Sequence, residues 1–354
     1  MAGRFAQAAD APTSVQPPAS TSYDGAAIDA LFDRSIVIDA LSADEDWGDL
    51  VFEAVKRSGL TAIQTSLANQ DLTVAQRDLK EWQGRFDTYP DRLMKVVRGR
   101  EIAEAKKTGR LGVVLGFQNA TMIGSSVKNL DVLHAAGTRC IQLTYNARNL
   151  LGDGCTERTN AGLSDFGVDI VQRMNELRIV VDLSHCGEQT SKDGIAFSRL
   201  PAAFTHTMCK AIHDHVRAKS DELLKAMAAK GGMIGVATLG YFIGPTPGTS
   251  FDDYLRHVDH AVKVAGIDHV GVASDYAIRG IEATATRESW YVPRLKSFKP
   301  IYNVRWPPWI KELDPPDRFR TIAHGLARRG YKTGDIEKII GGNWARYFTE
   351  VLGN

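Results

Sequence analysis

The sequence predicts an α/β protein built as a (β/α)8 TIM barrel with a C-terminal helical extension, and three observations carry that prediction. Eight short apolar runs alternate with segments of helix length over most of the 354 residues. No repeat or internal linker interrupts them, so residues 24–354 read as a single barrel domain. The first run ends in Asp39-Ala40-Leu41, without the glycine-rich phosphate loop that usually follows the first strand of a doubly wound sheet.

Taken in order, residues 24–33 are expected to form a short helix and Ile36-Val37-Ile38 the first strand. A helix over 53–58 leads to a second strand over 60–63, ending near Ser66. Residues 73–87 carry apolar side chains at helical spacing, and a further helix over 101–108 stops at Gly109. The third strand, 111–117, ends in Gln118-Asn119; after a helix over 127–136, the fourth, 140–143, ends in Thr144-Tyr145-Asn146. A polar, glycine-rich loop over 147–162 precedes a helix that runs to about Leu177. The fifth and sixth strands, 179–183 and 202–204, flank a helix over 188–198 and run into His185 and His206. A helix over 219–230 has Ser220 as its N-cap and Asp221-Glu222 in the first turn. The seventh strand is 233–237 and the eighth, 269–273, ends at Ser274-Asp275 after an amphipathic helix over 252–265. An insertion over 276–314 with Trp290, Trp306 and Trp309 follows, and helices over 317–329 and 333–348 close the chain.

Composition narrows the function. Forty-three Lys and Arg against 42 Asp and Glu leave a net charge of +1, which points away from nucleic-acid or membrane-surface partners. No apolar run approaches the roughly 20 residues of a transmembrane helix. The four cysteines show no CxxC spacing, so reduced thiols are expected. Residues 1–23 read as a flexible Ala-, Pro-, Ser- and Thr-rich segment. Within it, Ala6-Gln7-Ala8 looks like the remnant of a signal peptide, which suggests a periplasmic or exported protein; a plain low-complexity tail in a cytoplasmic protein is the alternative.

Barrel enzymes carry their chemistry where strands end. Those ends supply Asp39, Gln118, Tyr145, His185, His206 and Asp275, with Arg217 in the loop after the sixth strand. Neighbouring strands sit roughly 4.8 Å apart, so two imidazoles leaving adjacent ends can share one metal ion. Two polar residues at ordinary strand–loop junctions are the plainer reading. With Asp275, the pair suits zinc with an open position for water. Arg217 precedes a helix start, where it can grip a substrate carboxylate or be an ordinary solvated arginine. The remaining histidines in helices or at strand starts read as structural.

The chain resembles the membrane (renal-type) dipeptidase family of the amidohydrolase superfamily. The matching segments are Gly162-Leu163-Ser164 with Phe166-Gly167, Val181-Asp182-Leu183-Ser184-His185, Phe204-Thr205-His206-Thr207, Arg217 with Asp221, Ser274-Asp275, and Gly342-Asn343. The resemblance implies that His185 and His206 bind one zinc, that Asp275 binds another, and that Arg217 holds the substrate's carboxylate. The family's first strand ends in Asp-Gly-His-x-Asp, whose His and second Asp bind metal; here Leu41 and Ala43 stand at those positions. The family's bridging Glu is Gln118 and its substrate-contacting histidine is Tyr145. With Asp275 the one remaining carboxylate of three, a pair of zinc ions is poorly neutralised, because an amide is a poor bridge between cations. Asp44, Glu45 and Asp46 are expected to form a solvated loop.

Three functions follow as expectations. The first is a hydrolase with one zinc at most, acting on a dipeptide or small peptide-derived amide with a free carboxylate. In it Asp275 is the general base, Tyr145 an oxyanion donor, and Arg217, Tyr145 and Gln118 contact substrate. The second is a metal-free tailoring or isomerising enzyme using the same pocket, and the third a non-catalytic binding protein. The tryptophan-rich insertion is expected to be a lid or an interface, the latter making a homodimer.

Overall fold

A computed structural model describes residues 23–244 and 248–354. All of the expected N-terminal segment except Tyr23 thus lies outside the described residues. Among those described, nine parallel strands are formed: β1 (Ile38–Ser42), β2 (Ala62–Ser66), β3 (Leu93–Lys95), β4 (Leu111–Phe117), β5 (Thr138–Gln142), β6 (Val180–Asp182), β7 (Ala203–Thr207), β8 (Met233–Ala237) and β9 (Val270–Ala273). Eight of them run side by side in the order β1-β2-β4-β5-β6-β7-β8-β9, while β3 pairs with β4 alone. The ring closes where β9 meets β1: the Asp275 N–H donates to the Leu41 carbonyl at 3.0 Å, and Ser42 pairs with Tyr276. This is the expected (β/α)8 barrel.

Alternate residues of the strands divide between two cores, as a period of two requires. Val113 and Leu115 face the helical layer, and Val114 belongs with Ile38, Ala62, Cys140 and Ala203 to a second cluster that includes Trp344 and Phe348. The C-terminal helix Asn343–Leu352 brings that indole against the barrel. Gly271 makes room for it, since a Cβ there would strike the Trp344 ring. The helix expected over 333–348 is interrupted by a widened turn, Lys338–Gly342. There the backbone of Gly341 passes so close to the Ile36 carbonyl that a Cβ would collide with it.

Two expectations need correction. The first strand covers Ile38–Ser42, not 36–38, so Asp39 lies inside it and not at its end. Its buried carboxylate accepts the Ser274 N–H at 2.8 Å and the Leu41 N–H at 3.2 Å, and the Ser274 hydroxyl as well. Asp39 therefore helps to fasten β1 to β9. Likewise Asp44 is buried and accepts the Ile278 N–H at 2.6 Å and the Ser42 hydroxyl at 3.2 Å. It ties the first βα loop to the insertion, leaving Glu45 and Asp46 as the exposed acids of that loop.

Candidate active site

The last residues of β6 and β7 and the loops that follow bring two imidazoles together, their rings tilted by 57°. His185 and His206 are buried, and their Nε2 atoms lie 3.0 Å apart. Asp182, a carboxylate inside an apolar strand, organises the approach. It accepts the Ser184 hydroxyl at 2.6 Å, the Thr205 hydroxyl at 2.7 Å, and the N–H groups of Ser184 and Thr205 at 3.0 and 3.2 Å. Both hydroxyl protons are thereby engaged. Thr205 Oγ1, 2.8 Å from His206 Nδ1, is left to accept the ring proton. The Asn146 amide oxygen likewise accepts the Nδ1 proton of His185 at 2.8 Å. The hydrogen-bond network thus assigns both protons to Nδ1 and leaves two Nε2 lone pairs converging on one point.

Lone pairs at that distance repel unless a cation lies between them or a donor such as the Gln118 amide, 3.2 Å from His206 Nε2, engages one of them. A proton is disfavoured: burial, then the Arg217 charge, holds both histidines well below the usual imidazole range, with Lys219 adding to the effect. Neutral imidazoles with Nδ1 hydrogen-bonded and Nε2 free are the arrangement that zinc ligands adopt. The third candidate ligand, Asp275, has an oxygen 3.9 Å from His206 Nε2. Among the described residues no three His, Cys, Asp or Glu side chains close into a metal cage. Two imidazole nitrogens are thus available to a metal ion, and the Asp275 carboxylate lies near but has not converged on them.

Asp275 follows β9 with a positive φ of 67°, uncommon for a residue with a side chain and frequent at functional sites. Desolvation pushes its pKa up to about 6, against the pull of Arg217, Arg294 and the Gln118 amide. Gln118 Nε2 reaches both His206 Nε2 at 3.2 Å and Asp275 Oδ1 at 3.5 Å. Tyr145 stacks on His185, ring centroids 4.1 Å apart. Its ring is partly exposed, but desolvation of the hydroxyl and the nearby Asp275 charge push its pKa up to about 12, so the O–H stays protonated.

The structure therefore brings together Gln118, Tyr145, His185, His206 and Asp275. Arg217 lies directly behind them and is not a solvated loop residue: it is fully buried. Its Nη1 donates to the Ser184 carbonyl and its Nη2 to the His206 carbonyl at 2.9 Å, so it binds together the two histidine-bearing loops. Leu41 is buried beside the closing seam, and Ala43 lines a cavity of about 330 Å³ with Asp275, Trp290 and Arg294. Sequence reading gave no role to Asp182, Thr205, Asn146 or Arg294, although Asp182 and Thr205 lie in segments that carry the family resemblance and Asn146 stands at the fourth strand's end. His257 and His269 are structural as expected, each hydrogen-bonded to a backbone carbonyl, of Ile243 at 2.9 Å and of Gly232 at 2.9 Å. The insertion covers this side of the barrel, with Phe298 6.2 Å from the Tyr145 ring and Trp290 6.2 Å from Trp306.

Comparison with known proteins identifies the family and the fold. The profile of "Membrane dipeptidase (Peptidase family M19)" matches residues 52–290. Dipeptidase verJ of Clonostachys rogersoniana is 28% identical over 270 residues, 75% of this chain and 62% of that protein. Dipeptidase tcpJ of Claviceps purpurea is 24% identical over 320 residues, 90% of this chain and 65% of that protein. The chain thus spans less than two thirds of the length of these curated relatives. An amidohydrolase from Pseudomonas aeruginosa superposes with a TM-score of 0.84 at 28% identity, over 92% of this chain and 99% of that one.

Proposed function

Because the chain belongs to the membrane dipeptidase family, peptidase family M19, we propose that it is a dipeptidase-like hydrolase with a single-metal site. Its substrate would be a dipeptide or small peptide-derived amide with a free carboxylate. The observation that carries this reading is the convergence of the His185 and His206 Nε2 lone pairs at 3.0 Å. A zinc ion there would lower the pKa of a water and polarise the scissile carbonyl. Leu41 and Ala43, at the positions where the family resemblance puts further ligands, have no metal-binding atoms in their side chains, so a second ion lacks support.

The chain's own groups supply the proton handling. With a pKa of about 6, Asp275 is ionised at neutral pH and takes a proton from the attacking water. As the amide C–N bond breaks, that proton passes to the departing nitrogen. Tyr145 keeps its proton and offers the O–H to the carbonyl oxygen as negative charge develops there. Arg217, anchored to the Ser184 and His206 carbonyls, fixes the spacing of the two imidazoles and favours their neutral form.

A metal-free proton-transfer enzyme is the second reading. It is favoured by the Gln118 amide, whose N–H at 3.2 Å can satisfy the His206 lone pair without a metal. A dipeptide panel, assayed with and without added zinc and with His206→Ala as control, separates the two. Zinc-dependent hydrolysis lost in the variant supports the hydrolase. Turnover indifferent to zinc and to chelator supports the second reading. Hydrolysis equal in the variant and the parent would show that the site has been placed wrongly.

A further inference from the structure

The two imidazoles are braced by different chemistry. His185 donates its Nδ1 proton to the Asn146 amide oxygen at 2.8 Å, an acceptor it shares with the Cys155 thiol at 3.4 Å. The Asn146 Nδ2 is buried without a partner, so no further bond polarises that amide through its nitrogen. His206 donates instead to Thr205 Oγ1 at 2.8 Å, and the same hydroxyl donates its own proton to Asp182 Oδ2 at 2.7 Å. A continuous chain thus runs from imidazole to hydroxyl to carboxylate, with the anion at its far end.

A hydroxyl that donates to an anion is a stronger acceptor than a free one, because each bond in such a chain polarises the next. An imidazole whose Nδ1–H faces a charged acceptor becomes a better donor at Nε2, as carboxylates do for zinc-bound histidines. Here the hydroxyl carries that influence one bond further. Asp182 is fixed for the purpose. Its Oδ1 takes the Ser184 hydroxyl at 2.6 Å and the N–H groups of Ser184 and Thr205 at 3.0 and 3.2 Å, which leaves Oδ2 to the Thr205 hydroxyl. The side chain is only 2% exposed, and all of these donors are uncharged. A buried carboxylate bonded only to neutral groups is costly. A cation taken up at His206 Nε2 offsets that cost.

We propose that Asp182, acting through Thr205, is a positioning residue that makes His206 the stronger donor of the histidine pair. The inference rests on the site placed at His185 and His206 and deepens the single-metal reading. The ion would draw negative charge from behind its ligand, through two hydrogen bonds, as well as from Asp275 beside it.

Long-range 1H–15N NMR on the full metal-free chain, labelled at histidine, reads both rings. In the parent each should show the Nδ1-protonated form. Asp182→Asn should move the His206 Nδ1 proton upfield, toward that of His185, and leave His185 in place; a role confined to fastening β6 to β7 would move both or neither. Zinc affinity by chelator competition is the second readout. Asp182→Asn should weaken it roughly 10- to 100-fold, yet change it little when Thr205 is already valine, because the chain is then cut. Should Asp182→Asn fail to fold, Thr205→Val must produce the same His206 shift and Thr205→Ser must reverse it. Unmoved His206 resonances, equal movement of both rings, or zinc losses that add in full in the double variant overturn the inference. If the parent binds no zinc, the single-metal reading fails and the NMR comparison alone decides the role of Asp182.

Discussion

His185 and His206 point their Nε2 atoms at each other across 3.0 Å while Thr205 and Asn146 hold their Nδ1 protons on the far side of each ring. The metal reading depends on the supporting residues as much as on the histidines, and that dependence can be measured. Thr205→Val removes the acceptor for the His206 proton and one donor to Asp182. Zinc affinity, followed by chelator competition, should fall roughly 10- to 100-fold, and Thr205→Ser should keep most of it. A valine variant that binds zinc as tightly as the parent would show that the Nδ1 assignment is wrong.

Tyr145 is expected to act only as charge develops. Tyr145→Phe keeps the stack on His185 but loses the hydroxyl, so kcat should drop on the order of 100-fold with KM changed little. A variant in which KM rises while kcat is kept would instead make Tyr145 a substrate-binding contact.

Acid should unfold the protein through two buried neutral histidines. His215 bonds to the Tyr302 carbonyl at 2.8 Å and accepts the Arg217 N–H at 3.1 Å; His257 bonds to the Ile243 carbonyl at 2.9 Å and accepts the Cys209 N–H at 3.1 Å. Burial lowers each pKa to about 4. In the unfolded chain both would titrate near the ordinary value of about 6.5. Between those limits the unfolded state binds more protons, so stability is complete above about pH 6.5 and falls as the pH drops toward 4. The loss is on the order of 2–3 kcal/mol for each histidine. Denaturant titrations at pH 7 and pH 4.5 check this, and His257→Gln should flatten the dependence. Equal stability at both values would contradict it.

The barrel and the two histidines were legible because both rest on local pattern: apolar runs of strand length, each ending in a polar cluster. What the pattern hid was set by tertiary partners. Asp39 reads as a strand end because it is charged, yet Ser274 supplies the donors that let the strand continue through it. Strand β3, Leu93–Lys95, has three residues and no room for alternation to show. Arg217 was visible as a residue, but its engagement by the Ser184 and His206 carbonyls is a property of the closed barrel. Arg294 belongs to an insertion without periodicity, where position relative to Asp275 exists only once the chain has folded.

The central claim is one metal ion held by His185 and His206. Elemental analysis of protein purified without chelator, then reconstituted with zinc and desalted, tests it directly. The account predicts about one zinc per chain in the parent, and none in His206→Ala. Two zinc ions per chain, or an undiminished content in His206→Ala, would contradict it.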